Sequence, residues 1–307
     1  MTLLGIDLGG TKIAAAVFEN GMIAERQTVE LDKEGGATVG AQISELVRRF
    51  ADDAQAVGIC VPGIYRESSG TVWAPNIRGW DEYPLLEEAR AAAGDVPVAI
   101  DSDRACYILG EHWKGSARGC KDAIYLAVGT GIGAGIMAGG RVLRGARGIA
   151  GAIGWMALER PYSSEFDASG CFESQASGDG IAATAKRFLR ETPHYTGALI
   201  SSIGDITARD VFAVLNDGDE VADRVIANFV ELLGMASANL VSIFDPEKII
   251  FGGGVFGPAV ELIPPIKQEA EKWGQPIAIR KVSFVPSALG TDAGLYGAGL
   301  LAERSFN

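Results

Sequence analysis

One arrangement occurs twice in the chain and leaves few architectures open to it. A short apolar run, Leu3 to Asp7, meets the turn "GGTK", continues as "IAAAVF", turns again at "ENG" and leaves as "MIAERQTV". From Ala123, "AIYLAVGTGIGAGIMAGGRVLRG" repeats the plan: apolar run, Gly-Thr-Gly turn, apolar run, Gly-Gly turn, third strand. Glycine turns between short apolar segments predict β-meanders, and two copies predict duplicated lobes. At 307 residues the chain is longer than single cores usually grow, so two lobes with a cleft between them are expected, and clefts are where small molecules bind.

Between the meanders, "GGATVGAQISELVRRFADDA" has helical spacing, and "AVGICVPGI" and "VPVAID" read as buried strands. "RACYILGEHWKG" follows as a helix ending in glycine. In the second half "SGDGIAATAKRFLRE", "TARDVFAVLNDG" and "EVADRVIANFVELLGMASANLVSIF" read as helices ahead of a strand "KIIFGGGV". A last helix near "TDAGLYGAGLLAER" is placed to pack back on the first lobe. Sheets covered by helices make this an α/β protein. No long linker interrupts it, so the lobe boundary near residues 105 to 120 is expected to be a hinge.

Composition narrows the function. The net charge is -12 and no Lys/Arg tract gathers, which argues against a nucleic-acid partner. No apolar run approaching a membrane span of about 20 residues is read in the sequence, and the N-terminus lacks a signal peptide's charged region and cleavage site; a soluble, unprocessed, cytoplasmic protein is expected. Four cysteines without a Cys-x-x-Cys pair read as reduced structural thiols, and two distant histidines, His112 and His194, leave little for a catalytic zinc or a Ser/His/Asp triad.

Three glycine turns and one acidic pair carry the chemistry. Gly9, Gly10 and Thr11 form a turn whose N–H groups could meet phosphate oxygens, with Lys12 beside them and Asp7 able to hold a hydrated Mg2+. An ordinary hairpin with a solvated Asp reads the same residues equally simply. It is not a Walker loop, because the spacing is wrong and a strand follows. Gly129, Thr130, Gly131 and Gly133 form the equivalent turn of the second lobe. Gly252, Gly254 and Gly257 satisfy GxGxxG after a strand, yet no following strand-helix-strand repeat is evident, and a glycine turn against an adenosine fits better than a dinucleotide fold. In "AIDSDRACY", Asp101, Ser102 and Asp103 stand where a strand meets a helix: one acid is expected to cap the helix, and the other could take a proton from a substrate hydroxyl.

Together these residues resemble the ROK family (repressors, open reading frames and kinases) of the actin, heat-shock chaperone and sugar kinase superfamily. "GIDLGGTK", "GICVPGI", "WAPNIRGW", "AVGTGIGAGI", "FDPEKIIFGGGV" and "GTDAGLYGAG" stand in the family's order over essentially the whole chain. The resemblance implies a two-lobed actin-like ATPase (ribonuclease H-like) fold, with duplicated mixed β-sheets flanked by helices around a central cleft. Residues 1–112 plus 293–307 would form the small lobe and 113–292 the larger one. It implies ATP-dependent phosphorylation of a hexose, at the 6-hydroxyl, with Asp103 as the base. Asp7, Gly9, Gly10, Thr11 and Lys12 would serve phosphates and Mg2+, Asp7 holding the metal through water. Thr130 and Gly131 would hold the β/γ-phosphates and Gly253 and Gly254 the adenosine. Asn76, Ser102, Asp103 and Glu173 would bind the sugar, and a homodimer is expected.

The resemblance breaks at one segment. Where the family usually carries Gly-Glu-Ile-Gly-His and a cysteine-rich zinc motif, this chain has "GAIGWM", with Ala152 and Trp155 at the Glu and His positions, and retains only Cys171 and Glu173. One thiol cannot build a tetrahedral site, so no structural zinc is expected. Ala152 cannot bond a sugar hydroxyl, which leaves open a different sugar or polyol (an N-acetylhexosamine, fructose, allose) or a non-catalytic sensor. Trp155 is read either as packing on a sugar face or as filling the core. Repression is set aside because no helix-turn-helix precedes the first strand. Metal analysis of the purified protein is expected to find less than one equivalent of zinc per chain; one tightly bound zinc would refute this.

Overall fold

Each meander grows into a five-stranded sheet, and the two sheets have the same strand order. The computed structural model describes residues 1–199, 204–215 and 217–306. In the first lobe β1 (Thr2–Leu8), β2 (Lys12–Glu19) and β3 (Met22–Glu30) are antiparallel neighbours, followed by helix α1 (Gly36–Ala51). β4 (Val57–Val61) then pairs with β1 in parallel. A small hairpin, β5 (Ile64–Arg66) and β6 (Thr71–Trp73), and helix α2 (Leu85–Ala93) lead to β7 (Val98–Ser102), parallel to β4. The order is β3-β2-β1-β4-β7.

Helix α3 (Asp103–Lys114) carries the chain into the second sheet, where β8 (Ala123–Val128), β9 (Ile132–Ala138) and the two-residue β10 (Arg141–Val142) repeat the meander. Helices α4 (Glu173–Ala176), α5 (Gly178–Glu191), α6 (Ala208–Ala213) and α7 (Glu220–Phe244) precede β11 (Lys248–Gly252). Then come α8 (Ile263–Trp273), α9 (Ala278–Lys281), β12 (Ser283–Pro286) and α10 (Ala293–Phe306). The order β10-β9-β8-β11-β12, with β8, β11 and β12 parallel, matches the first sheet strand for strand. Buried on both faces, β4 reads as the unbroken run "VGICV", as a central parallel strand must.

Local chemistry starts the helices. Ser177 caps α5 by accepting from Gly180 N at 3.0 Å, and Asp219 caps α7 by accepting from Val221 N and Ala222 N at 3.1 and 3.0 Å. The two cores are separate. Leu4, Ile6 and Ile59 pack with Val39, Ile43 and Val47 in one, and Ile124, Leu126, Phe229 and Leu233 with Phe251 and Ile266 in the other.

Between the cores α10 lies against α3, β1 and β4, at a distance only glycine permits. A Cβ on Gly297 would fall on the carbonyl of Cys106 in α3, one on Gly110 on the carbonyl of Ala293, and one on Gly58 of β4 on the carbonyl of Ala298. Backbone meets backbone at all three points. The buried carboxylate of Glu111 ties the same helix to the chain entering α10, accepting from Ser116 N and Ser287 Oγ at 2.5 Å and from Leu289 N at 3.2 Å.

Several elements differ from the sequence reading. The β5–β6 hairpin, α2 and β12 are short or mixed in pattern and give no clear signal in the sequence. The crossover β11–α8–β12 supplies the strand-helix-strand unit that is not evident after the GxGxxG run; "SFVP" is only half-buried and lacks a continuous apolar signal. The helix expected over "TARDVFAVLNDG" is confined to Ala208–Ala213, while Asn216 lies outside the described residues. α3 continues to Lys114, so much of the expected hinge segment is helix. At 25 residues α7 is long and apolar enough to cross a membrane, which the sequence reading missed because charged residues interrupt the run. Over half of the apolar window is buried, and α7 packs on α5 and α8.

Alanine is favoured over glycine within a helix by about 1 kcal/mol, so the contact at Gly297 sets the sign of a substitution there. Gly297→Ala is expected to lose about 2–3 kcal/mol of stability, read as a lower urea midpoint. Stabilisation by the substitution would show that α10 can move away at no cost.

Candidate active site

The strand-to-helix junction at Asp101–Asp103 separates the two acids. Arg144 donates to Asp101 Oδ2 from Nε at 2.9 Å and from Nη2 at 2.6 Å, and Asp101 Oδ1 accepts from Ser102 N at 2.8 Å. Asp101 is therefore held as an ion pair. The cap of α3 belongs to neither acid: Ser102 Oγ accepts from Ala105 N at 3.4 Å. Asp103 is the first residue of the helix, and its Oδ1 accepts from Arg104 N at 2.8 Å. Burial raises its pKa, and the Arg104 guanidinium opposes that shift.

Asp7, at the C-terminal end of β1, is the second acid of this region. Burial pushes its pKa from the usual 3.8 to about 6, the charges of Asp103 and Asp292 add to the rise, and a hydrogen bond from Cys60 and the charge of Lys12 oppose it. Strand and helix thus bring Asp7 and Asp103 within electrostatic reach of each other. A small cavity of about 30 Å³ is lined by Asp7, Gly9, Lys12, Arg26, Thr291 and Asp292. Thr291 and Asp292 were not singled out from the sequence, although the "GTDAG" motif containing them was noted. Gly294 of that motif packs so closely on Asp7 that a Cβ there would meet its carboxylate at 2.6 Å.

The two hairpin tips are built alike. Gly9 N donates to Lys12 O at 2.9 Å and Gly129 N donates to Gly131 O at 2.9 Å, so these two N–H groups close the turns. Gly10, Thr11, Thr130 and Gly131 stand exposed at the tips, and their N–H groups donate to nothing among the described residues. That is a usable phosphate cradle at each tip. The exposed Asn76 amide lies beside the first, near Gly10.

The third glycine turn abuts the second hairpin. Gly253 has φ 88° and a Cβ there would strike the Val128 carbonyl, so glycine alone fits. Gly254 N lies near Gly129, and Gly178 N, at the start of α5, donates to Gly129 O at 2.8 Å. Glu173 reaches the same turn: its Oε2 accepts from Ile132 N at 2.6 Å, and burial raises its pKa. Thr130, Gly131, Glu173, Gly253 and Gly254 therefore form one group, while Asp7, Gly9, Gly10, Thr11, Lys12 and Asn76 form another around the first hairpin. Among the described residues no hydrogen bond joins the hairpins. Arg104 crosses between the lobes from the start of α3, donating from Nη2 to Gly63 O at 3.1 Å and Gly148 O at 3.2 Å.

Trp155 does not fill the core. It is 59% exposed at the end of a short 3-10 turn, Ile153–Trp155. Cys171 is buried, with Gln175 Nε2 3.9 Å from its Sγ and 3.1 Å from its carbonyl oxygen. Phe172 beside it is fully buried.

Duplicated sheets, two phosphate-ready hairpins and carboxylates at the junction of the lobes define an actin-like phosphotransferase. The ROK family model matches residues 3–305. A glucokinase of Halalkalibacterium halodurans is 33% identical over 99% of this chain and 96% of its own. A β-glucoside kinase of Listeria monocytogenes is 30% identical over 97% of this chain and 96% of its own. Among solved structures, a ROK glucokinase from Streptomyces griseus in complex with glucose and AMPPNP superimposes with a TM-score of 0.80, at 29% identity, over 99% of this chain and 100% of that one. The protein belongs to the ROK family. It is an ATP-dependent sugar kinase.

The raised pKa of Asp7 has a definite consequence for stability. The folded state holds this proton more tightly than the unfolded chain, so stability falls as pH rises from about 4 to about 6, and the penalty is constant above. Asp7→Asn removes the charge, so its stability relative to the parent is expected to increase across that interval and plateau above it. Unfolding free energies at pH 4, 5, 6 and 8 check this; a difference independent of pH would refute it.

Proposed function

We propose that this kinase phosphorylates the 6-hydroxyl of glucose or a closely related hexose, with Asp103 as the base. The observation that carries the assignment is the division of labour at the junction: Asp101 is bound by Arg144, while Asp103, half-buried at the head of the helix between the lobes, has no ion pair within 4.0 Å among the described residues. Burial raises its proton affinity, which suits a group that accepts a hydroxyl proton as the oxygen attacks phosphorus. The free N–H groups at Gly10, Thr11, Thr130 and Gly131 would stabilise charge on the phosphoryl oxygens, where positioning supplies most of the catalysis. Gly253 and Gly254 would lie against the adenosine, and Asn76, Ser102 and Glu173 would orient the sugar.

The residues present fit a hydrated Mg2+. Asp7 is a half-buried carboxylate pressed by the charges of two others, and among the described residues no three ligating side chains gather into a cage. A cation that keeps most of its water, and would be held by one carboxylate through that water beside the substrate's phosphates, matches that donor set. When bound, Mg2+ neutralises phosphate charge; Asp7 would hold it through water. We further propose that the lobes divide as residues 1–112 plus 293–307 and 113–292, that the chain has no structural zinc, and that it works as a cytoplasmic homodimer. Asn307 lies outside the described residues.

A second reading rests on Ala152 and Trp155. With no carboxylate at 152 and an exposed indole at 155, the pocket wall suits a substituted or larger sugar, and a full-length relative is a β-glucoside kinase. ADP release measured with ATP-Mg2+ across hexoses, N-acetylhexosamines, ketoses and β-glucosides decides between them. Highest kcat/KM with glucose supports the first reading and with a β-glucoside or N-acetylhexosamine the second. Asp103→Asn is expected to lose about 10³-fold in kcat while keeping its circular dichroism spectrum. Full activity in that variant would refute the base.

A further inference from the structure

A cavity of about 1070 Å³ adjoins the candidate active site: Ser102 and Arg104, which flank Asp103 in the chain, are on its walls, while Asp7, Asn76, Asp103 and Glu173 are not. It runs along the free edge of β7, with the β5 region on one side and β9 and residues 142–150 of the second lobe on the other. Its volume is that of a small-molecule site.

Its charge is opposite to that of the protein. The chain carries -12 overall, yet five arginines, Arg66, Arg90, Arg104, Arg144 and Arg147, face two carboxylates, Glu67 and Asp101, and no lysine lines the cavity. Asp101 is spent on Arg144. Arg66 leans away toward Glu82, at 3.5 Å, and the carbonyl of Asp81, at 3.0 Å. Arg90, Arg104 and Arg147 have no carboxylate within 4.0 Å among the described residues. Nε of Arg104 is buried and has no partner there either. Arg304 on α10 adds to the same field, its pKa pushed down by burial and then by the like charge of Arg144.

Uncompensated guanidinium groups gathered from separate elements repel one another, and the arrangement costs stability unless an anion completes it. Arginine in place of lysine favours a multi-oxygen anion such as a phosphate, two of whose oxygens the planar guanidinium can hold by paired N–H bonds. The excess of positive charge suits a dianion, and the remaining volume, bounded by Tyr65, Leu86 and Leu143, suits a ring-sized body attached to it. We propose that this cleft, which adjoins the candidate sugar site at Ser102, binds a phosphomonoester of hexose size through arginines distinct from the phosphate hairpins and from Asp103. Its walls come from both lobes, so a bound dianion would hold their spacing. The inference does not depend on which sugar the kinase accepts.

Titration calorimetry of the full chain with glucose 6-phosphate and, separately, with inorganic phosphate tests this. The variants are Arg147→Glu and the double variant Arg90→Glu with Arg147→Glu; both side chains are exposed and neither belongs to the phosphotransfer groups. Glucose 6-phosphate is expected to bind the parent protein more tightly than inorganic phosphate, and less tightly as salt rises. Arg147→Glu should weaken binding about 10-fold and the double variant further, with kcat for sugar phosphorylation unchanged in both. Absence of binding would overturn the proposal. So would affinity for the ester that both variants leave unaltered, which would seat the ester at the phosphate hairpins, or inorganic phosphate binding as tightly as the ester. Should the double variant lose its folded spectrum, Arg147→Glu alone carries the comparison.

Discussion

The contact of α10 with α3 and β4 is the constraint on which both lobes depend. Three glycines, Gly58, Gly110 and Gly297, let backbone approach backbone where any side chain would collide with a carbonyl. Asp7 lies on β1 beneath Gly294 of α10, and Asp103 begins α3. Small shifts in this crossing therefore move the two acids relative to each other. Glu111, buried and accepting hydrogen bonds from residues on either side of the crossing, holds the same joint from its other end.

Around that joint the chemistry is divided by pairing. Asp101 and Asp103 stand two residues apart, but Arg144 reaches over from the second lobe and takes only the first. What remains is a half-buried carboxylate within electrostatic reach of a second one, with desolvation raising the proton affinity of both. Arg104 plays the complementary part. Its backbone N–H serves Asp103 while its guanidinium bridges Gly63 of one lobe and Gly148 of the other. One residue thus links the position of an acid to the spacing of the lobes.

Much of the candidate site was legible because its signals are local. Glycine turns between apolar runs can be read without knowing their neighbours, and "GIDLGGTK" and "AVGTGIGAGI" form the two equivalent hairpins of the structure. The short strand β12 was illegible because four residues, two half-buried and two exposed, carry no period, and its place is set by pairing with β11. Trp155 was open to two readings for a related reason: an aromatic residue in a glycine-rich run fits a core as well as a pocket wall, and only the path of the chain leaves it exposed.

The sequence by itself determined the duplicated meanders, the placement of phosphate-ready turns at their tips and the loss of the cysteine-rich motif, since each follows from backbone preference or side-chain chemistry at fixed spacing. The tertiary structure alone decided which acid is left unpaired, how close α10 may come, and that arginines far apart in the chain share one cleft. Those outcomes depend on distances between residues remote in sequence. Electrostatics and excluded volume act through space, and no local pattern encodes them.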